Sequence, residues 1–303
     1  MTFAYQLKNE ICNNKSFRAK HKAAQAYGLM RFSKSFDKDK ISLHTEHKAV
    51  ADLYCFFISE LIGITGSLTV TKHERRDRKK YFIVTVDDEY DRRQILNYFY
   101  SETGSLNKQI LMDDSDIAAF LSGVYLACGN ITNPEKGYHL EFSVADDELA
   151  KQLESLINSR GITAKLTKRR GVNICYIKES EQIEDLLTLI GATNSTLELM
   201  EVKIYKDIRN KANRLTNCET ANIEKTVSAA AAQIADINLI ISARGEEYLS
   251  DDLLELAKIR LENPEMSLRE IGESLTKPIS RSGVNHRLKR IAEIAQDIKE
   301  KGV

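Results

Sequence analysis

The sequence predicts an α+β body made of two repeated halves related by a pseudo-twofold, joined through a helical linker to an all-α helix-turn-helix domain. Three observations carry this. An order of helices and strands recurs about a hundred residues further along the chain. Two Gly-Ile-Thr triplets, 63–65 and 161–163, stand at matching places in it, and the run Ser267–Ile291 reads as helix, proline turn, helix. The divisions expected are 1–110 for the first half with an N-terminal extension, 111–192 for the second, 193–245 for the linker and 246–303 for the terminal domain.

In chain order, the first ~15 residues are a helix or a strand that packs on the body. The first half then runs as helix 22–32, strand 40–45, helix 48–61, the triplet, a second strand, a basic turn, strand 81–86 and a helix over 91–100. The second half repeats it: helix 116–126, a turn over 129–137, strand 138–144, helix 147–159, the triplet, a strand, a basic turn, strand 173–177 and helix 181–190. Each half so built has one sheet whose apolar face needs covering by helices or a sister sheet. Gly28 and Gly123 sit at matching points of the leading helices. Small residues let two helix backbones approach closely, so these helices are expected to form the interface of the halves.

The basic turns also match. Lys72 to Lys80, with Arg75, Arg76 and Arg78, occupies the first, and Lys165, Lys168, Arg169 and Arg170 the second. Charge at exposed hairpin tips is ordinarily a solvation device, but two tips on one side of a pseudo-dyad would suit a duplex backbone.

From Ser195 to Gly245 the chain is helical and basic, with Lys203, Arg209, Lys211 and Arg214. Asparagines at 210, 213, 217 and 222 favour caps and side-chain-to-backbone bonds, so a helix end is expected near 215–217 and a new start near 220–222. Beyond Gly245, acids at 251 and 252 open a helix that Asn263-Pro264 ends.

Ser267 and Glu270 have capping-box spacing, Pro278 forbids continuation, and Ser280 or Ser282 can cap a second helix. In that helix Val284, Leu288 and Ile291 fall within about 60° of one another at ~100° per residue and form the core stripe. Opposite lie Ser282, Asn285, His286, Lys289 and Arg290, with Arg281 and Arg287 on the flanks. Asn and Lys can read base edges while Arg grips phosphates, so double-stranded DNA is the expected partner.

Composition sets the bounds. The 303 residues balance 44 Lys and Arg against 44 Asp and Glu, so any field that attracts phosphate is local. The five cysteines, at 12, 55, 128, 175 and 218, form no CxxC pair, which suggests reduced thiols in the cytoplasm and no zinc site. Leu53–Leu68, the most apolar run, is broken by Glu60, so no membrane role is expected. His44 and His47 lack an acid at ligand spacing and read as surface histidines. Neither a P-loop nor GxGxxG is present, and Ser282-Gly283 lacks a nucleophile-elbow context. No cofactor is expected.

Residues 120–131, FLSGVYLACGNI, resemble the signature helix of the LAGLIDADG homing endonucleases, and 26–36, AYGLMRFSKSF, is a weaker copy. Throughout its length, including NKANRLTNCETAN and PISRSGVNHRLKRI, the chain is similar to the WhiA family of bacterial regulators. That resemblance implies a degenerate homing-endonuclease fold with a terminal DNA-binding helix-turn-helix. It implies roles in transcription, cell division and chromosome segregation, in sporulation where that occurs, and other regulatory or division proteins as candidate partners. In the nucleases an acid near the end of each signature helix holds divalent metal. Here Ser33 and Cys128 stand at those positions. Without both carboxylates two-metal chemistry fails, so the chain is expected to bind DNA without cleaving it and not to be an enzyme. Asp113, Asp114 and Asp116 stand at the other end of the second signature helix, where the dipole and capping account for them.

Overall fold

The computed structural model describes residues 2–15, 21–74, 80–99 and 105–301. Two compact units divide the chain, Met1–Lys206 and Asp207–Val303.

The first unit begins with α1 (Phe3–Asn13), a helix whose Thr2 cap accepts from the Tyr5 amide at 3.3 Å. Its Phe3, Leu7 and Ile11 are buried in the core of the unit. The first half follows as α2 (Lys22–Arg31), β1 (Ser35–Phe36), β2 (Ile41–Thr45), α3 (Lys48–Ile62), β3 (Leu68–Glu74), β4 (Lys80–Val86) and α4 (Glu89–Tyr98). The second repeats it as α5 (Asp114–Cys128), β5 (Gly129–Ile131), β6 (Leu140–Val144), α6 (Asp147–Asn158), β7 (Lys165–Arg169), β8 (Val172–Ile177) and α7 (Ser180–Leu189). The sheets have the same antiparallel order, β1-β2-β4-β3 and β5-β6-β8-β7. Both triplet glycines, Gly63 and Gly161, adopt φ +78°, a left-handed conformation that L side chains resist, which is why the same residue recurs after α3 and after α6.

The halves meet along α2 and α5, as the paired glycines predict. A Cβ on Gly28 would lie 2.1 Å from the Phe120 carbonyl oxygen, and one on Gly123 would lie 2.1 Å from that of Gln25. No side chain fits at either place. Across the same contact the buried Gln25 Nε2 donates to Ser122 Oγ at 2.9 Å.

Several features differ from the sequence reading. Short strands β1 and β5 occupy what reads as turn, each pairing with the strand that follows it. The basic residues 165, 168 and 169 lie on the edge strand β7 rather than in a turn, and Lys72 and Lys80 belong to β3 and β4; charged side chains on an edge strand discourage further strand pairing. The tip that would carry Arg75, Arg76 and Arg78 lies outside the described residues. His47 is half-buried rather than a surface residue: its ring centroid is 4.5 Å from that of Tyr5, and burial lowers its pKa to about 4. A depressed folded-state pKa means that this neutral ring contributes stability above pH 6.5, which is lost as pH falls towards 4. The unfolding free energy of His47→Phe should therefore fall less steeply than that of the natural chain between pH 6.5 and 4, and equal slopes would contradict the assignment.

The long segment is one helix, α8 (Thr193–Arg244), with no break at 215–222. Asparagine costs only about 0.5–0.7 kcal/mol against alanine in a helix interior, and no glycine or proline stands between 193 and 244. Local bonds also serve the helix, with Thr226 Oγ1 donating to the Asn222 carbonyl at 2.9 Å. Gly245, at φ +82°, ends it. Its first turn is tethered within the first unit, where Glu10 accepts from the Asn194 amide at 2.7 Å and the Ser195 amide at 2.9 Å. By length and composition, α8 is the one helix among the described residues long and apolar enough to cross a membrane, whereas sequence inspection singles out Leu53–Leu68. Ile237 and Ile240 of α8 are buried in the core of the second unit.

That unit is completed by a 3-10 turn at Glu246–Tyr248, α9 (Asp251–Glu262), α10 (Leu268–Ser274) and α11 (Arg281–Lys301). Its core joins Ile237 and Ile240 to Leu253, Leu256, Ile271, Leu275, Val284, Leu288 and Ile291.

Candidate nucleic-acid interface

The helix-turn-helix is set by two local devices. Ser267 and Glu270 form a reciprocal capping box, the Ser267 amide donating to Glu270 Oε2 at 2.7 Å and the Glu270 amide to Ser267 Oγ at 3.3 Å. At the far end of the turn Ser280, not Ser282, caps α11: its carbonyl accepts from Val284 at 3.0 Å and its hydroxyl from the Gly283 amide at 3.3 Å. Between them the chain folds back onto Gly272. The Ile279 amide donates to the Gly272 carbonyl at 3.1 Å, and a Cβ on Gly272 would stand 2.4 Å from the Ile279 carbonyl oxygen. Sequence reasoning missed this glycine, because only the turn's closure reveals the need for it. Gly272→Ala should destabilise the second unit by about 2 kcal/mol, visible as an earlier thermal transition. An unchanged transition would refute the close approach.

With Val284, Leu288 and Ile291 buried beneath it, α11 presents Arg281, Ser282, Asn285, His286, Lys289 and Arg290 to solvent. Among the described residues, none of the four cationic or titratable side chains in that set forms an ion pair. Arg287 differs. Its Nη2 contacts Asp252 Oδ2 at 3.1 Å and its Nη1 donates to the Asp252 carbonyl at 3.3 Å, so it ties α11 to the first turn of α9 and is half-buried. Its guanidinium is engaged within the unit.

The other basic positions are scattered over both units. Lys168 Nζ pairs with Asp147 Oδ1 at 3.1 Å, while Arg169 and Arg170 are exposed. Arg170 has φ +51° and Gly171 φ +82°, the pair of left-handed residues that a two-residue hairpin turn requires. Lys211 and Arg214 are exposed on α8. They belong to the second unit and Arg169 and Arg170 to the first.

In the first unit, Ser33 and Cys128 line a single cleft at the C-terminal ends of the two signature helices, together with His44, Asp37 and Asp146. These residues do not fit a divalent metal. Ser33 Oγ donates to the Met30 carbonyl at 2.7 Å, and burial pushes the Cys128 thiol up to about 12, so it stays protonated at neutral pH. Lys8, a residue of α1 that sequence reasoning missed, reaches the same helix end. Its Nζ donates to the Leu126 carbonyl at 3.2 Å, and burial lowers its pKa to about 8, leaving it mostly charged at neutral pH. A cation there repels another. The acids of the cleft are engaged elsewhere: Asp37 Oδ1 accepts from the amides of Asp39 and Lys40 at 2.9 and 2.8 Å, and Asp146 Oδ1 from that of Leu149 at 2.7 Å.

The remaining acids gather where the signature helices start. Asp113 Oδ1 accepts from the Asp116 amide at 2.8 Å, and Asp116 Oδ1 lies 2.8 Å from His21 Nδ1. Three potential ligands thus meet, but both carboxylates serve backbone amides, and the positive end of a helix dipole disfavours a cation. At 1.5 Å per residue, a 15-residue helix puts that cluster roughly 20 Å from Cys128.

Comparison with known proteins agrees with this geometry. Residues 117–209 match the profile described as the WhiA LAGLIDADG-like domain, and 212–295 that of the WhiA C-terminal HTH domain. The chain is 36% identical to the "Probable cell division protein WhiA" of Clostridium tetani over 100% of its own length and 99% of the relative's. The protein of the same name from Clostridium novyi is 37% identical, with both chains covered completely. The crystal structure of full-length WhiA from Thermotoga maritima superposes with a TM-score of 0.58 at 26% identity, covering 98% of this chain and 99% of that one.

Proposed function

The chain belongs to the WhiA family, and from that premise we propose that it is a cytoplasmic, nucleoid-associated DNA-binding protein of cell division that reads sequence through α11. In this reading it regulates transcription, supports chromosome segregation and does not cut DNA. The observation that carries it is the exposed face of α11, where Asn285, His286 and Lys289 stand over a buried aliphatic stripe. Asn and Lys match the edges of adenine and guanine in the major groove, Ser282 and Arg290 share their outward face, and Arg281 on the flank suits a phosphate. Arg287 is left out of the base-reading and phosphate sets because Asp252 holds it. Replacing Arg281 with alanine should reduce the slope of log affinity against log salt by about 0.9, with little change in sequence preference. A change of preference at constant slope would contradict a phosphate role.

The loss of cleavage is supported by the serine, the protonated thiol and the lysine at the ends of the signature helices. Supercoiled plasmid incubated with the protein and Mg²⁺ or Mn²⁺ should remain unnicked. Nicking that disappears on Ser33→Ala or Cys128→Ala would identify an endonuclease.

Lys168, Arg169, Arg170, Lys211 and Arg214 are proposed as secondary backbone contacts. Lys168 is the weakest of these, since Asp147 already pairs with it. Other division or regulatory proteins are natural further partners of such a protein. Removing residues 207–303, the second compact unit, should abolish the cellular effect of a DNA reader and spare that of a scaffold working through the body.

A further inference from the structure

Within the second unit, a cleft of 460 Å³ is bounded by α8, α9 and the starts of α10 and α11. Lys225, Arg260, Arg269 and Arg281 line it, and no carboxylate does. Arg260 is the unusual member. It is only 2% exposed, yet among the described residues it forms no ion pair. Its Nη1 donates to the carbonyls of Pro264 at 3.1 Å and Met266 at 2.8 Å, and its Nε has no hydrogen-bond partner. Arg269 is partly neutralised by Glu273 at 2.9 Å, whereas Lys225 and Arg281 make no such pair among the described residues.

A guanidinium does not shed its proton in a protein, and burying one without a counterion is costly. Backbone carbonyls meet part of that cost. Burial lowers the Arg260 pKa from its ordinary value, and Glu265 opposes this as a secondary effect. The cationic, carboxylate-free lining around this side chain fits an anion with several acceptor oxygens. The wall formed by Ala229 and Ala230 leaves room for an apolar or planar body beside it.

We propose that this cleft binds a small molecule that carries a phosphate group and is about the size of a mononucleotide, with Arg260 at its floor and Lys225 and Arg281 at its rim. A duplex backbone offers the same phosphate chemistry, but a rod of stacked base pairs cannot follow a phosphate down to a side chain buried as deeply as Arg260. Because Arg281 also opens α11, an occupied cleft would alter the helix assigned to base reading. That link rests on the DNA reading above, while the binding itself does not.

The test is calorimetric titration of the full chain, free of DNA, with GMP and with inorganic phosphate. Saturable binding at one site per chain is expected for each probe, the two competing with one another. Lys225→Gln should weaken it about tenfold, the loss of one charge-assisted hydrogen bond, and Ala229→Phe should abolish GMP binding by filling the cleft. Both positions are exposed, so neither change threatens the fold; Arg260→Met removes the anchor directly, and if it unfolds the unit the other two variants decide. Absence of saturable binding by both probes overturns the proposal, as does binding that survives unchanged in Lys225→Gln and Ala229→Phe. A chain that binds neither probe, yet loses DNA salt dependence on Lys225→Gln, would show the cleft to be a duplex contact and would equally overturn it. A chain that binds GMP but no DNA would leave the cleft assignment intact and remove only the link to base reading.

Discussion

Alanine at both His286 and Lys289 should reduce affinity for a specific site by about 4 kcal/mol, close to a thousandfold, and bring it near the level of non-specific binding. Both side chains are exposed on α11, three residues apart and off the buried Val284–Leu288–Ile291 stripe, and neither supports the core. The thermal transition should therefore stay in place while discrimination between sites collapses. Gel shifts with a specific and a scrambled duplex at one fixed salt concentration read both quantities. Equal loss on the two duplexes would assign these residues to phosphate instead of bases.

The second large effect concerns the body. Gly123→Ala should cost the first unit about 3 kcal/mol, the upper range for overpacking, because a Cβ 2.1 Å from the Gln25 carbonyl oxygen can be relieved only by separating two helix backbones. Gly28→Ala faces the Phe120 carbonyl oxygen at the same distance and should behave alike. Gly137→Ala, which would meet nothing within 4 Å, is the control. Denaturant unfolding followed by a probe in the first unit compares the three. If all three unfold alike, the helix crossing is looser than described.

How far the sequence discloses this protein depends on whether a feature is local. The capping box, the proline turn and the Val284–Leu288–Ile291 stripe are local, and the order and core face of the helix-turn-helix are accordingly legible. The repeated halves are legible because the same chain logic occurs twice, down to the left-handed glycines Gly63 and Gly161. What escapes are features made by distant parts of the chain. Lys8 arrives at the end of α5 from a helix more than a hundred residues earlier, Arg287 meets Asp252 only once α9 is docked, and Gly272 matters only when Ile279 folds back over it. The break expected in α8 fails for the opposite reason. Four asparagines weaken a helix locally, but a helix without glycine or proline loses too little at each of them to end.

The proposed function, base reading by α11 without cleavage, requires the protein to protect DNA without altering it. Footprinting of chromosomal fragments in the presence of Mg²⁺, with the natural chain and with the His286→Ala, Lys289→Ala variant side by side, asks this directly. The expected result is a few discrete protected windows on intact strands, all absent with the variant. Strand breaks within those windows, or windows that persist when α11 has lost both side chains, would contradict it.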